Sequence, residues 1–388
     1  MAAAVTASKY PDRRVILFER QQRVGRKLLS TGNGRCNLTN TGAGSEPYNG
    51  SPDFAKIALA EYPPEKILSF FRALGLVTAE EYGGRVYPLS DSANSVVDVL
   101  RFALQRPNIQ LRAACPVTAV RRKDGGFQVE AGEGSVFADR VIIACGGCAG
   151  AKVGGVKDGY ELLASLGHSR TKLYPALAPI TTDPDYPRAL KGVRADAGLR
   201  LSGAARGESA GEIQFTEKGV SGPAAFDLCR AVSTSGDGKK ELHIDLLREL
   251  PAEDIRALLR ARRDNAPELP AEELFTGVLH NRVGRMIVKY AGMNGAKPMS
   301  EVTDAEIYAA AAASRDFTLT VKGTEGFDQA QVTAGGMDTA QFDPATMESR
   351  LVPGLYACGE VLDVDGRCGG FNLQWAWASG ILAGRLSE

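Results

Sequence analysis

The residues best suited to chemistry lie near the C-terminus. Val352-Pro353-Gly354-Leu355-Tyr356-Ala357-Cys358-Gly359-Glu360-Val361-Leu362-Asp363 runs on to Gly369-Gly370-Phe371-Asn372-Leu373-Gln374-Trp375-Ala376-Trp377-Ala378-Ser379-Gly380. Leu355 to Cys358 reads as a short buried strand, followed by a glycine-bearing loop and a helix from about Asn372 built on small residues. In that order the three make a site for an anion and a flat polar ring. The helix start offers N–H groups without intrahelical partners and the positive end of its dipole, and Gly369 and Gly370 clear the space such a ring needs.

This block resembles the end of a bacterial flavoprotein family, HI0933-like or aminoacetone-oxidase-like, whose members close with GLY-x-x-GE-x-LD-x-DG-x-x-GG-[YF]-N-LQWA. Every fixed position is present from 354 to 376. The resemblance implies FAD, with Gly359, Glu360, Asp363, Gly369, Gly370, Phe371, Asn372, Leu373 and Gln374 closing over the flavin ring and diphosphate. A second family segment, GRKLL-x-SG-x-GRCN-x-TN, is nearly reproduced by Gly25 to Asn40. It implies a loop passing the flavin that brings Arg26, Lys27, Gly32, Gly34, Arg35, Cys36 and Asn37 to the cofactor. Gly32 and Gly34 permit positive φ, and Arg35 and Asn37 offer donors to a ring that gains negative charge on reduction. Without the family match, the same stretch reads as a polar turn with a solvated arginine.

The elements that must position these residues predict an α/β fold. It is a discontinuous FAD-binding Rossmann-like domain, 1–189 and 334–388, with an inserted antiparallel β domain carrying a helical subdomain at 190–333. A helix over Ala2 to Ser8 precedes a strand, Arg14 to Glu19. An acidic residue closing the second strand of a dinucleotide fold binds a ribose hydroxyl ~20 residues past a Gly-x-Gly-x-x-Gly turn, which assigns Glu19. Counting back puts that turn upstream of Met1, so the first strand and the phosphate-cradling turn are expected to be missing from this sequence. A variant that replaces the strand by other means is the alternative.

Residues 52 to 106 alternate helical runs around Glu81 to Pro88, where Arg85 reads as an exposed turn arginine or as a contact for an acidic substrate or nucleotide phosphate. From Ile109 to Ala144 short strands make a meander turning at Asp124-Gly125-Gly126. By resemblance the backbone near Val117 meets the adenine, and Ala144 and Gly146, ending the last strand, pass close to the dinucleotide. Cys145-Gly146-Gly147-Cys148 has dithiol spacing, but Cys145 replaces a threonine of the family signature and the glycines already have a reason to be there. His168 follows the helix-terminal Gly167 and reads as a surface or capping residue. With His243 and His280 it completes the histidines, none at ligand spacing, so no metal is expected.

The insertion alternates strand-like runs (Gly198 to Leu201, Gly211 to Thr216, Glu241 to Leu246) with a helical block at Glu253 to Arg263 and Glu272 to Tyr290. A further helix opens on the capping box Thr303 to Glu306. Thr216 to Pro223 matches a family turn, with Pro223 suited to a helix first turn. Such a domain suits a cover over the ring with a substrate pocket between domains.

Composition bounds the rest. At 388 residues, 44% hydrophobic and 24% charged, the chain has material for two or three ordinary domains. Lys plus Arg and Asp plus Glu both number 46, which argues against nucleic acid or an anionic membrane as partner. Seven scattered cysteines suit a reducing compartment, and the absence of a signal-like start or a long apolar run points to the cytoplasm.

The activity so implied is an FAD-dependent oxidoreductase, taking hydride from transiently bound NAD(P)H and passing it to an activated C=C or C=O of a small organic substrate. An amine oxidase of the aminoacetone type releasing hydrogen peroxide, and a flavin-free protein lacking its N-terminal turn, are the alternatives. Tyr174, Arg35 and Asn372 are candidate proton donors. Substrate and oligomeric state are not legible.

Overall fold

A computed structural model describes residues 1–44 and 48–386. The chain divides into two compact units, one formed by Met1–Pro175 with Phe327–Glu388 and the other by Ala176–Gly326. The sequence pattern put the second unit at 190–333. Its start lies earlier because Ile180–Thr182 is a strand paired to both Gly219–Ser221 and Phe317–Thr324. A three-residue strand within the four residues between Pro179 and Pro184 is too short to show alternation.

The larger unit joins remote parts of the chain through parallel strand pairs. Val15–Phe18 lies beside Ile109–Arg112, with Val15 opposite Ile109. Val141–Ile143 lies beside Leu355–Ala357, with Val141 opposite Leu355. The two pairs are separate sheets; among the described residues no further strand joins either one. All four residues of Val15–Phe18 are partly exposed, whereas a strand inside a doubly wound sheet is covered on both faces. The meander expected over 109 to 144 is therefore smaller than read. Only Val117–Lys123, Gly126–Ala131 and Gly134–Ala138 form it, while the strands before and after leave for parallel partners far away in sequence.

The C-terminal helix, Phe371–Arg385, organises this unit. It is buried along most of its length. Ala2–Ala7, itself wholly buried, packs on it so closely that a Cβ at Gly384 would stand 2.9 Å from the Ala3 Cα. Its tryptophans bury large rings and still satisfy their N–H groups. Trp375 Nε1 donates to the Gly359 carbonyl at 3.0 Å, and Trp377 Nε1 to the Leu38 carbonyl at 2.9 Å. Ser379 Oγ accepts from Gly359 N at 3.0 Å, so both backbone groups of Gly359 are held by one helix.

The smaller unit is a closed six-stranded barrel. Its strands run in the order Ile180–Thr182, Gly219–Ser221, Gly207–Phe215, Arg194–Gly203, Lys240–Asp245 and Phe317–Thr324. Helix Pro223–Thr234 packs Ala224, Ala225, Leu228 and Val232 into the core with Ile213, Phe215 and Val220. The turn before it is structural: Gly222 has φ +100°, and a Cβ there would lie 2.7 Å from the Glu212 carbonyl oxygen.

The helical block departs from the sequence reading in one place. Glu272 to Tyr290 is not continuous; a 3-10 turn, Ala271–Glu273, is followed by a loop through Gly277 at φ +86°, and the helix restarts as Asn281–Tyr290. His280 caps that restart, its Nδ1 accepting from Arg282 N at 3.2 Å. The Thr303 capping box forms as expected. Of the arginines of Ala252–Asn265, Arg256 is ion-paired with Glu253, Arg260 and Arg263 are paired with Asp304, and Arg262 donates to the Thr276 carbonyl. No described helix is long and apolar enough to cross a membrane.

Candidate cofactor cleft

Parallel pairing makes Val141–Ile143 and Leu355–Ala357 end on the same side, which is where ligands of open α/β sheets bind. Gly146 and Gly359 follow these ends at φ +74° and +76°, and a Cβ on either would meet nothing within 4 Å. Both therefore border open space. Ala144 and Cys145 are reached by solvent.

Glu19 follows the end of Val15–Phe18, and it acts on the same place. Although solvent reaches part of the residue, the protein packed around the Cys145 thiol, then the Asp158 and Glu19 carboxylates, push it up to about 11. Burial likewise raises the Cys148 thiol, so neither sulfur of the Cys-x-x-Cys is disposed to ionise as thiol exchange requires. Glu19 Oε1 accepts from Gln21 N at 2.7 Å, and Gln21 Oε1 accepts from Arg26 Nη1 at 2.9 Å, which ties Arg26 to the same strand end.

The loop from Lys27 to Asn40 meets the start of the C-terminal helix. Lys27 Nζ reaches Glu360 Oε2 at 2.8 Å, and Glu360 Oε1 accepts from Thr333 N at 2.8 Å. Asn40 Nδ2 donates to the Gly369 carbonyl at 3.0 Å. Gly370, at φ +100°, is pressed against Thr39, and a Cβ there would also lie 2.8 Å from Asn37 Oδ1. That Asn37 oxygen is buried with no hydrogen-bond partner.

Several residues assigned to the cofactor by resemblance also have side chains bonded within the protein. Gln374 accepts from Thr39 Oγ1 at 2.5 Å and donates to the Tyr62 carbonyl at 2.8 Å, leaving little for a ligand. Asn372 clamps the preceding loop, accepting from Gly366 N and donating to Gly366 O, both at 2.8 Å. Phe371 packs its ring edge-on against Tyr48, whose hydroxyl donates to the Phe371 carbonyl at 2.9 Å. Asp363 accepts from Thr171 Oγ1 at 2.9 Å, and Leu373 packs against the core around Leu38 and Trp377.

Arg35 already has partners within the protein. Its guanidinium is ion-paired with both Glu81 and Asp91 and lies 4.0 Å over the Tyr87 ring, so its donors are already engaged. Cys36 is fully buried at φ +62°, its thiol pushed up to about 11 by desolvation. Gly32 sits at φ +56° against Asn37 N and the Tyr87 ring, while a Cβ at Gly34, φ +87°, would touch only the Leu29 carbonyl. Val117 opens the meander strand opposite Ala131 and packs against the core that also holds Ile143, Leu355 and Phe371. His168 is neither a surface residue nor a cap: it is buried, stacked on Phe342, and bonded to the Leu163 carbonyl at 3.1 Å and Ser349 Oγ at 2.8 Å.

Arg85 and Tyr87 also stand beside the two glycine segments, Tyr87 at Gly32 and Arg85 at Gly369. Their signal was available as alternation in Arg85–Pro88, which puts positions 85 and 87 on one face of a strand.

The open space beside Gly146 and Gly359, together with the partnerless Asn37 oxygen beside the helix start, fits a flat nucleotide with hydrogen-bond donors on its ring. The HI0933-like protein Rossmann domain matches residues 1–386. The chain belongs to the HI0933-like family. It is an FAD-dependent oxidoreductase on a Rossmann-type fold. Similar proteins include a 3-dehydro-bile acid delta(4,6)-reductase of Clostridium scindens, 37% identical over 100% of this chain and 96% of that protein. Ribosomal RNA dihydrouridine synthases of Escherichia coli and Haemophilus influenzae are 29% and 27% identical, over 95% and 94% of this chain and 90% of each of theirs.

Proposed function

We propose that this family member reduces a carbon–carbon double bond conjugated to a carbonyl in a small organic substrate, with NAD(P)H as the electron donor. The observation that carries the reading is the 37% identity, over the whole chain, to a protein named as a reductase of paired ring double bonds. The names of the other relatives also describe hydrogen added across a double bond, but in ribosomal RNA. RNA is the less favoured substrate here. The unit Ala176–Gly326 has no excess of Lys and Arg over Asp and Glu. Many of its cations are locally neutralised, as in Arg248 with Asp196, Arg285 with Glu273, Lys297 with Glu306 and Arg315 with Asp245. A polyanion needs cations left free to displace counterions.

FAD, when bound, supplies the two-electron chemistry. Glu19 would hold its ribose, Gly146 and Gly359 would let it lie against the strand ends, and Gly32 to Asn37 with the start of Phe371–Arg385 would border its ring. The helix start places unpaired N–H groups and a positive dipole end where negative charge gathers on reduction. Lys27 adds no net charge there, because Glu360 neutralises it. No Gly-x-Gly-x-x-Gly that would mark a separate pyridine-nucleotide domain occurs in the sequence, so a pyridine nucleotide binds in passing rather than in its own dinucleotide fold.

The test is anaerobic. NADPH should bleach the flavin band near 450 nm, and a 3-oxo-4,6-diene bile acid should restore it. Recovery with an rRNA transcript and none with the steroid would move the substrate class to RNA. Hydrogen peroxide from aminoacetone in air, with no response to NADPH, would favour the amine oxidase.

A further inference from the structure

Strand Arg85–Pro88 pairs on one side with Thr39–Asn40 and on the other with Thr78–Glu81. Alternation sends Val86 into the core and puts Arg85 and Tyr87 together on the opposite face. Tyr87 stands against the first glycine segment: a Cβ at Gly32 would lie 3.2 Å from its Cε1. Arg85 stands against the second, its Nε 3.7 Å from where a Cβ of Gly369 would be. One strand face therefore carries two polar side chains between the two loops that would border the flavin ring.

Both side chains are uncommitted. The Tyr87 ring is buried, with the Arg35 guanidinium over its face, but no described residue bonds its hydroxyl, which solvent reaches. Arg85 forms no ion pair or side-chain hydrogen bond among the described residues, in contrast to Arg35, which is held by two carboxylates. Desolvation raises the Tyr87 phenol above its ordinary range, opposed by the charges of Arg85 and Arg35. The phenol thus keeps its proton at neutral pH, and the unpaired Arg85 is the cation that favours the phenolate left after donation, because Arg35 is already neutralised by Glu81 and Asp91.

We propose that Tyr87 delivers the proton to the substrate carbon and that Arg85 holds the substrate's carbonyl oxygen. The inference rests on the reductase reading. In the reaction the double bond is reduced and the cofactor oxidised: the β-carbon gains a hydride from the reduced flavin, and the α-carbon gains the Tyr87 hydroxyl proton. Tyr87 is reprotonated from water. Arg85 carries the negative charge that builds on the carbonyl oxygen while the α-carbon awaits its proton, a task for which an unpaired guanidinium is suited.

The test uses holoenzyme reduced with dithionite without oxygen, then mixed with a 3-oxo-4,6-diene bile acid while the 450 nm band is followed. Tyr87→Phe keeps the ring under Arg35 and against Gly32, and should slow reoxidation at least about 100-fold. Its FAD content, its affinity for the acid read from the spectrum of the oxidised enzyme, and its reoxidation by ferricyanide, which needs no carbon protonation, should match the parent. Arg85→Gln should instead weaken that affinity about tenfold. Wild-type reoxidation by the acid in Tyr87→Phe, or an equal loss of FAD and of the ferricyanide reaction, overturns the proton-donor role. Unchanged affinity in Arg85→Gln overturns the role of Arg85. If the unaltered enzyme is not reoxidised by the acid at all, the reductase reading itself fails and this inference with it.

Discussion

Gly359 and Gly370 both need left-handed backbone, yet a methyl group would trouble them differently. At Gly359 it enters open space, so Gly359→Ala should cost only the backbone strain of about 1–2 kcal/mol. If the dinucleotide passes there, FAD uptake should nonetheless fall at least about tenfold. At Gly370 the methyl collides with the Thr39 carbonyl, so Gly370→Ala should lower the melting temperature clearly more than Gly359→Ala does. Thermal melts beside flavin stoichiometry separate the two. The motif revealed that glycine stands at both places, but not that one faces a ligand space and the other a neighbouring backbone. The ion pairs of Arg35 were illegible for a related reason. Its partners Glu81 and Asp91 lie 46 and 56 residues away, and nothing in the local sequence announces that they converge on it.

At the scale of elements, what could be read was what repeats locally: the amphipathic helices, the Thr303 capping box, the hairpin turn at Asp124-Gly125. Parallel partners and ion pairs between remote loops could not. Lys27 and Glu360, 333 residues apart, tie the glycine loop to the C-terminal block. Lys27→Met leaves a carboxylate that is 18% exposed with Thr333 N as its remaining backbone donor, and should destabilise the protein by about 1–2 kcal/mol in denaturant melts. His168 offers a pH test. Burial lowers its affinity for protons below that of an ordinary histidine at 6.5, so on acidification the unfolded chain takes up a proton that the folded one resists. Its contribution to stability is present in full above about 6.5 and falls as pH drops below it. His168→Gln should flatten the slope of stability against pH between about 6.5 and 5, and an unchanged slope would contradict the assignment.

At the scale of the molecule, the division into a Rossmann-type unit and an inserted one was legible from the return of flavin-type motifs after residue 333. The position of the first boundary was not, because it hangs on the three-residue strand Ile180–Thr182. The barrel closes on itself and has its own core, with Phe215, Phe317 and Leu242 buried among strands of one unit. Residues 176–326 made alone should therefore give a strand- and helix-containing circular dichroism spectrum and a single cooperative melt; a featureless melt would contradict the independence of this unit. In the proposed arrangement the ends of Val141–Ile143 and Leu355–Ala357, the Gly32 loop and the C-terminal helix start together hold one FAD. The most direct measurement is the visible spectrum of the protein after saturation with FAD and removal of excess, for the parent and for Gly146→Val with Gly359→Val. The parent should show a flavin band near 450 nm at about one FAD per chain, and the variant should lose it while still melting cooperatively. Equal flavin in both proteins would contradict that arrangement.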